Sequence, residues 1–162
     1  MSCANTLAYD LLGHLARILS PLTGNSNYTV KNSEEFANII RKETIQTDKV
    51  IIFFDVESLF TNVPIEETVQ AVLHRLNNDL SLPDCTALTP TQIVDLLNFV
   101  LRSTYFKYNE ALYKQQGAPM ASAISTVIAN LHKEAFQEQT LATAPEPWRV
   151  WKYYIDDTFT IT

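Results

Sequence analysis

In WKYYIDDTFTIT, residues 151–162, two adjacent aspartates interrupt a run of aromatic and β-branched residues. Strand interiors are poor in aspartate, and neighbouring anions repel each other, so Asp156 and Asp157 need an explanation. One interpretation is a hairpin tip, because aspartate tolerates left-handed backbone and hydrogen-bonds within its own turn. The other is a site for a positively charged ligand, which would need a further carboxylate from elsewhere in the chain.

A second apolar stretch, VIIFFDVESLF at residues 50–60, contains such a carboxylate. Its pattern predicts a strand buried on both faces, with Asp55 inside it. A buried carboxylate is costly without a partner, so Asp55 either caps a turn at the strand end or meets a cation. If Asp55 meets Asp156 and Asp157 on neighbouring strands, the cluster can hold two divalent ions about 4 Å apart, as phosphoryl transfer requires. An alternative is an α+β interaction domain with an acidic hairpin and no metal site. In such a domain the three carboxylates would have no reason to lie close together.

Composition limits the remaining possibilities. A chain of 162 residues with 46% hydrophobic residues and only 3 glycines predicts one ordered domain with a real core. The chain has no apolar run of membrane-spanning length and no signal peptide, so no membrane partner is expected. Cys3 and Cys85 are too few for a disulfide framework, which predicts an intracellular protein, nuclear or cytoplasmic and not secreted. The net charge of -6 is unusual for a nucleic-acid binder.

Hydrophobic periodicity predicts an α+β layout. Strands are expected at 50–57, 104–115 and 149–162, the second of them a hairpin turning at Asn109–Glu110. A loop is expected at 77–88. Helices are expected at 5–19, 33–41, 65–76, 89–100 and 122–139. The fourth is expected to open with Thr89 as its N-cap and Pro90 at its first helical position.

Three blocks of the sequence resemble the reverse transcriptase of Penelope-like retroelements, in the order and spacing of that family. The first is FFDVESLFTNVPIEET at residues 53–68, the second is GAPMASAISTVIANLHKEAF at 117–136, and the third is YIDD at 154–157. The stretch YTVKNSEEFANIIRKE at 28–43 is also similar to that family. The resemblance implies a reverse-transcriptase palm-like antiparallel sheet with packed helices. It divides the chain into fingers-side helices at 1–48 and a palm at 49–162.

The resemblance also implies a catalytic metal site. Asp55 and Asp156 would be the principal ligands of two Mg²⁺ or Mn²⁺ ions, with Asp157 a weaker or structural third. The backbone carbonyl of Val56 would be a further ligand. Tyr154 would lie close to the primer end.

A nucleotide-binding set follows from the same resemblance. Phe60 matches the bulky residue that excludes a 2′-hydroxyl, although an ordinary core phenylalanine is the alternative. Met120, Ala121 and Ser122 match the loop under the nucleotide. Ala121 replaces the glycine of the family pattern, and Ala123 and Thr126 replace its two prolines, which puts nucleotide binding in doubt because glycine allows closer backbone approach.

The function predicted from these blocks is RNA-directed DNA polymerase by two-metal nucleotidyl transfer. Its partners would be an RNA or DNA template, a DNA primer and deoxynucleoside triphosphates. A thumb is expected beyond the residues present, as is the GIY-YIG endonuclease that this family often carries. The isolated chain is therefore expected to make little DNA. The alternative is a catalytically inert or domesticated palm fragment with a structural role, so whether the chain is itself an enzyme stays open.

Overall fold

Helices and short strands are interspersed in a computed structural model of the protein, which describes residues 7–103, 105–114, 118, 122–145 and 148–162. The helices are α1 (Leu7–Leu19), α2 (Ser33–Ile40), α3 (Ile65–Asn78), α4 (Leu82–Cys85), α5 (Pro90–Arg102) and α6 (Ala123–Ala142), with a 3-10 turn at Ser20–Leu22. The strands are β1 (Ile51–Phe54), β2 (Tyr105–Tyr108), β3 (Ala111–Lys114), β4 (Val150–Tyr154) and β5 (Asp157–Ile161). The predicted α+β class is confirmed. The short helix α4 lies in the segment 77–88 that the sequence predicts to be a loop.

The chain divides into two compact units. The helical unit comprises Met1–Thr23 and Ser58–Ala135, and the sheet unit comprises Gly24–Glu57 and Phe136–Thr162. The predicted division into fingers-side helices at 1–48 and a palm at 49–162 stays a prediction. No helix among the described residues combines the length and the apolar character that a membrane span requires.

An apolar core, to which α1, α3, α5 and α6 contribute most of the side chains, holds the helical unit together. Its fully buried side chains from α1, α3, α5 and α6 include Leu15, Leu19, Val72, Leu76, Ile93, Leu97, Leu101, Ile124, Ile128 and Leu131. The predicted start of α5 is confirmed by a capping box. Thr89 Oγ1 accepts from the Gln92 backbone N–H at 3.3 Å, and Gln92 Oε1 accepts from the Thr89 N–H at 2.9 Å. Two backbone donors that no helical bond could satisfy are thereby paired.

The predicted hairpin is also present. β2 and β3 pair antiparallel, with Tyr108 opposite Ala111, so the turn consists of Asn109 and Glu110. Both turn residues have positive φ, 46° and 64°. Left-handed backbone at both central positions is typical of the hairpin turn that matches strand twist.

A buried ion pair crosses the core of the helical unit. Arg75 Nη1 on α3 lies 2.6 Å from Glu134 Oε2 on α6, and the Glu134 side chain is only 1% exposed. The same Arg75 nitrogen donates to the Leu22 carbonyl at 2.8 Å. A charge held this deeply depends on its partner, because desolvation is no longer offset when the partner is removed.

The sheet unit contains a three-stranded antiparallel sheet in the order β1-β5-β4. Tyr28 and Val30 add backbone hydrogen bonds to Tyr153 on the outer edge of β4, each 2.9 Å long. Helix α2 packs on one face of the sheet through Phe36 and Ile40. The Phe36 and Phe159 rings meet edge to face with centroids 5.1 Å apart.

The prediction that the strand at 50–57 is buried on both faces is wrong. The strand is shorter, ending at Phe54, and three of its four residues are exposed, with Phe53 at 72%. β1 pairs with β5 and lies at an edge of the sheet. An apolar run records what the chain can bury, whereas the burial of a strand depends on which elements pack against it.

We expect His132 on α6 to make the stability of the helical unit sensitive to acid. Burial of the ring lowers the pKa of His132, and the nearby Glu67 carboxylate opposes this shift only in part. Below about pH 6.5 the unfolded chain accepts a proton that the folded chain resists. The contribution of His132 is therefore full above that pH and is lost as the pH falls towards the lowered pKa.

Urea unfolding at about pH 7.5 and about pH 5 measures this effect. His132→Gln is expected to lose less stability on acidification than the wild type does. The matched control is His74→Gln, on the exposed side of α3, which is expected to keep the wild-type pH dependence. An unchanged pH dependence in His132→Gln would contradict the prediction.

Candidate active site

Asp55 lies immediately beyond the last hydrogen-bonded pair of β1. The register of β1 with β5 runs from Ile51 opposite Ile161 to Phe54 opposite Thr158. Asp55 thus emerges at the end of an edge strand, and its side chain is exposed rather than enclosed. The cost of burying a lone carboxylate does not arise here.

The hairpin of β4 and β5 accounts for the adjacent aspartates. Tyr154 pairs with Asp157, so the turn consists of Ile155 and Asp156, while Asp157 is the first residue of β5. Ile155 has φ 51°, which is a genuine outlier for a β-branched residue. Such strain costs about 1–3 kcal/mol and tends to persist at functional sites. One aspartate therefore forms the turn, and the other starts the strand.

The sheet register brings Asp55 and Asp157 together. Continuing the β1–β5 register by one residue sets Asp55 opposite Asp157. Residues at successive positions point to alternate faces, so these two and Tyr154 belong to the same face as Phe53, Phe159 and Lys152. The first block and the YIDD turn thus meet at one end of the sheet.

A cavity of about 740 Å³ opens on this face of the sheet. Its lining comprises Val30, Asn32, Ser33, Phe36, Phe53, Phe54, Asp55, Lys152, Tyr153, Tyr154, Asp157, Thr158 and Phe159. Its floor is aromatic, because Phe53 meets Phe159 edge to face at 5.1 Å. Its rim holds the N-terminus of α2, where Asn32 Oδ1 accepts from the Glu35 N–H at 2.8 Å. Asp156 is not among the described residues that line the cavity.

The carboxylates suit a divalent ion that keeps much of its hydration. Within the described part of the chain, no group of three or more His, Cys, Asp or Glu side chains is already arranged to hold a metal ion. Mg²⁺ nevertheless needs only one or two protein carboxylates, with waters and substrate phosphates completing its shell. Asp55, Asp156 and Asp157 are all exposed and fit that requirement. The metal-ligand roles of these residues and of Val56 stay a prediction.

Two of the residues expected to bind the nucleotide, Phe60 and Ser122, belong to the helical unit. Phe60 is half-buried, and its carbonyl accepts from the Ala118 N–H at 2.9 Å, which ties the first block to the second. Ser122 Oγ is buried and has no hydrogen-bond partner among the described residues. Met120 and Ala121 lie outside the described residues. The nucleotide-binding role of all four stays a prediction.

Tyr154 and Lys152 flank the cavity on β4. Tyr154, predicted to lie near the primer end, is 49% exposed and lines the cavity. Lys152 Nζ donates to the Asn27 carbonyl at 2.5 Å.

Sequence reasoning did not assign Phe36 or Phe159 to the site. Two-residue periodicity from Asp157 could have found Phe159. Phe36 could not be found in this way, because its place depends on how α2 packs on the sheet.

Solved structures of telomerase share this fold. Apo telomerase from Candida tropicalis is 11% identical over 96% of this chain and 31% of its own, with a TM-score of 0.65. Telomerase from Candida albicans in complex with the TWJ fragment of telomeric RNA is 14% identical, with 96% and 30% covered and a TM-score of 0.65. The corresponding Candida tropicalis complex is 13% identical, with 97% and 29% covered and a TM-score of 0.66. No protein-family model and no curated protein matches the chain.

At these identities the likeness concerns the fold alone. Telomerase is a reverse-transcriptase-related enzyme, so the predicted reverse-transcriptase-like fold is confirmed. The chain spans less than a third of the length of these telomerases. The narrower resemblance to Penelope-like elements stays a prediction.

Proposed function

We propose that the chain is the palm and part of the fingers of an RNA-directed DNA polymerase, the reverse transcriptase of a Penelope-like retroelement. The observation that carries this proposal is the sheet register: Asp55 directly follows Phe54, the partner of Thr158, while Asp157 begins β5 and Asp156 forms the adjoining turn. Carboxylates gathered from neighbouring strands beside a cavity are what two-metal nucleotidyl transfer requires. The telomerase-like fold supports the proposal.

The chain's own residues would mainly hold and orient the reactants. Two Mg²⁺ or Mn²⁺ ions, when bound, would activate the primer 3′-hydroxyl and neutralise the triphosphate charge. Asp55 and Asp156 would be the principal ligands, with Asp157 a third carboxylate and the Val56 carbonyl a further ligand. Tyr154, exposed on the cavity wall, would contact the primer end. Rigid strands suit this task, because catalysis by positioning tolerates little play.

The proposed partners are an RNA or DNA template, a DNA primer and deoxynucleoside triphosphates. Two of the telomerases with this fold were solved with a fragment of telomeric RNA, which supports a nucleic-acid partner here. Thumb and endonuclease segments of the same element would complete the polymerase. Phe60 would exclude ribonucleotides, and Met120, Ala121 and Ser122 would lie under the incoming nucleotide. Such an enzyme would act inside the cell.

A second candidate is an inert palm that retains the fold without turnover. The observation favouring it is that the described residues hold no ready-made set of three metal-ligating side chains. Alanine at positions 121 and 123, in place of the family's glycine and proline, points the same way.

Metal-dependent nucleotide binding separates the two candidates. Isothermal titration calorimetry is expected to show a deoxynucleoside triphosphate binding in Mn²⁺ and not in EDTA, because the carboxylates repel the triphosphate unless cations lie between them. The control variant Asp95→Asn removes an exposed carboxylate from α5 in the other unit and is expected to bind normally. Binding of equal strength in EDTA contradicts the two-metal proposal. Absence of binding under both conditions favours the inert palm.

A further inference from the structure

A second cavity lies in the sheet unit at the start of β4. Its volume is about 300 Å³, at the lower end of the usual range for small-ligand sites. The residues that line it are Asn27, Tyr28, Ile39, Glu43, Leu141, Trp148, Arg149, Val150, Trp151 and Lys152. Trp151 precedes Tyr154 by three residues, or about 10 Å along the strand. The second cavity and the candidate active site are thus approached from different ends of β4, and Lys152 lines both.

The tryptophans of this cavity carry an unsatisfied hydrogen-bond donor. The rings of Trp148 and Trp151 meet edge to face with centroids 5.2 Å apart. Trp151 Nε1 is buried and has no hydrogen-bond partner among the described residues. The hydroxyl of Thr160, the cross-strand partner of Trp151, is likewise buried and without a partner in that part of the chain. Trp151 Nε1 has almost no accessible surface, so an acceptor in the cavity reaches it only if the Trp151 ring shifts. Buried indole N–H groups usually find an acceptor, so a ligand that supplies one after such a shift would be favoured.

Two cations and one carboxylate line the same cavity, namely Arg149, Lys152 and Glu43. Arg149 Nε lies 3.1 Å from Glu43 Oε2, and the guanidinium carries further N–H donors beyond Nε. A guanidinium at the edge of a tryptophan pocket is suited to a phosphate next to a stacked ring. The lining thus carries two positive charges and one negative charge, whereas the whole chain carries -6.

We propose that this second cavity binds a nucleobase of a single-stranded nucleic acid, with its flanking phosphate on Arg149. A nucleobase has a flat face that stacks on tryptophan and ring acceptors that can take the Trp151 N–H. The site requires no metal and no base pairing. The inference rests on the proposed function in taking nucleic acid as the ligand, and it adds a binding site away from the carboxylates.

Intrinsic fluorescence reports on this cavity directly, because both tryptophans of the chain line it. Titration with a ten-nucleotide oligo(dA) in EDTA is expected to quench the emission saturably. Trp151→Phe keeps an aromatic ring but removes the N–H donor and is expected to weaken binding about 3- to 10-fold. Arg149→Gln is expected to reduce the slope of log affinity against log salt by about one. Arg17→Gln makes the same charge change at an exposed position of α1 and is expected to leave both the affinity and the salt dependence unchanged.

Two other ligands test which kind of molecule the cavity binds. Adenosine monophosphate that binds as tightly as the oligonucleotide would support the base site but assign it to a free nucleotide. An oligo-glutamate peptide that quenches equally would overturn the proposal in favour of an acidic peptide. Absence of saturable quenching would overturn it as well, as would quenching that neither Arg149→Gln nor Trp151→Phe alters. Circular dichroism shows whether each variant is folded. If Trp151→Phe does not fold, the result for Arg149→Gln alone decides the test.

The experiment is independent of the metal site. Because EDTA removes divalent ions, failure of Mn²⁺ binding leaves the quenching result intact. Oligo(dA) is expected to quench the tryptophan emission of Asp55→Asn as it does that of the wild type. Loss of oligonucleotide quenching with normal Mn²⁺-dependent triphosphate binding would overturn this inference alone.

Discussion

Asp55→Asn is expected to lower the affinity of the chain for Mn²⁺ by about 100-fold or more and to abolish metal-dependent nucleotide binding. Substitutions that only support metal ligands already cost about 10- to 100-fold, and this change removes a charged ligand itself. Asparagine keeps the shape of the side chain and one oxygen, so the loss would reflect charge rather than packing. Mn²⁺ titration by electron paramagnetic resonance, which counts free ions, gives the affinity.

The two aspartates of the YIDD motif are expected to differ. The resemblance implies that Asp156→Asn weakens Mn²⁺ binding as much as Asp55→Asn does, and that Asp157→Asn weakens it less. Among the described residues, Asp157 lines the cavity and Asp156 does not. That placement favours the opposite order, with the larger loss in Asp157→Asn. We expect the order implied by the resemblance, and the same titration decides it. If Asp157→Asn loses more Mn²⁺ affinity than Asp156→Asn, then Asp157 is the principal ligand and Asp156 the weaker one. Equal Mn²⁺ binding in the wild type and all three variants would contradict the metal site.

Glu134→Gln is expected to lower the free energy of unfolding by about 3 kcal/mol. Glu134 is 1% exposed and Arg75 is 17% exposed, so the variant removes a negative charge that lies 2.6 Å from a largely buried guanidinium. Breaking a buried pair from one side costs about 3–5 kcal/mol, and the partial exposure of Arg75 favours the lower end. For a chain of this size the midpoint of thermal unfolding would fall by about 6–12 °C. Urea unfolding followed by circular dichroism measures the free energy.

The matched control is Glu66→Gln. Glu66 Oε1 also lies 2.6 Å from an arginine nitrogen, Arg102 Nη2, but the two side chains are 74% and 53% exposed. Water replaces the lost partner at such a site, so little change is expected. Equal losses in Glu134→Gln and Glu66→Gln would show that burial is not what gives the Arg75–Glu134 pair its importance.

Local patterns in the sequence predicted the individual elements well. The capping sequence at Thr89 predicted the start of α5, and Asn109–Glu110 predicted the turn of the β2–β3 hairpin. The interruption at Asp156–Asp157 predicted a hairpin with acidic residues at its tip, and the turn at Ile155–Asp156 agrees. These features involve residues within a few positions of each other, so backbone sterics and short hydrogen bonds decide them.

Only the tertiary structure decided how these elements combine. The sequence predicted that Asp55 would meet the YIDD motif only through family resemblance, because their meeting depends on a strand pairing between residues 54 and 158. The exposure of β1, the Arg75–Glu134 pair and the tryptophan cavity had no local signal at all. Each depends on which surfaces bury one another once loops of many residues have closed. Local propensity does not encode that choice, because packing and strand register depend on which distant segments of the chain bury their apolar side chains against each other.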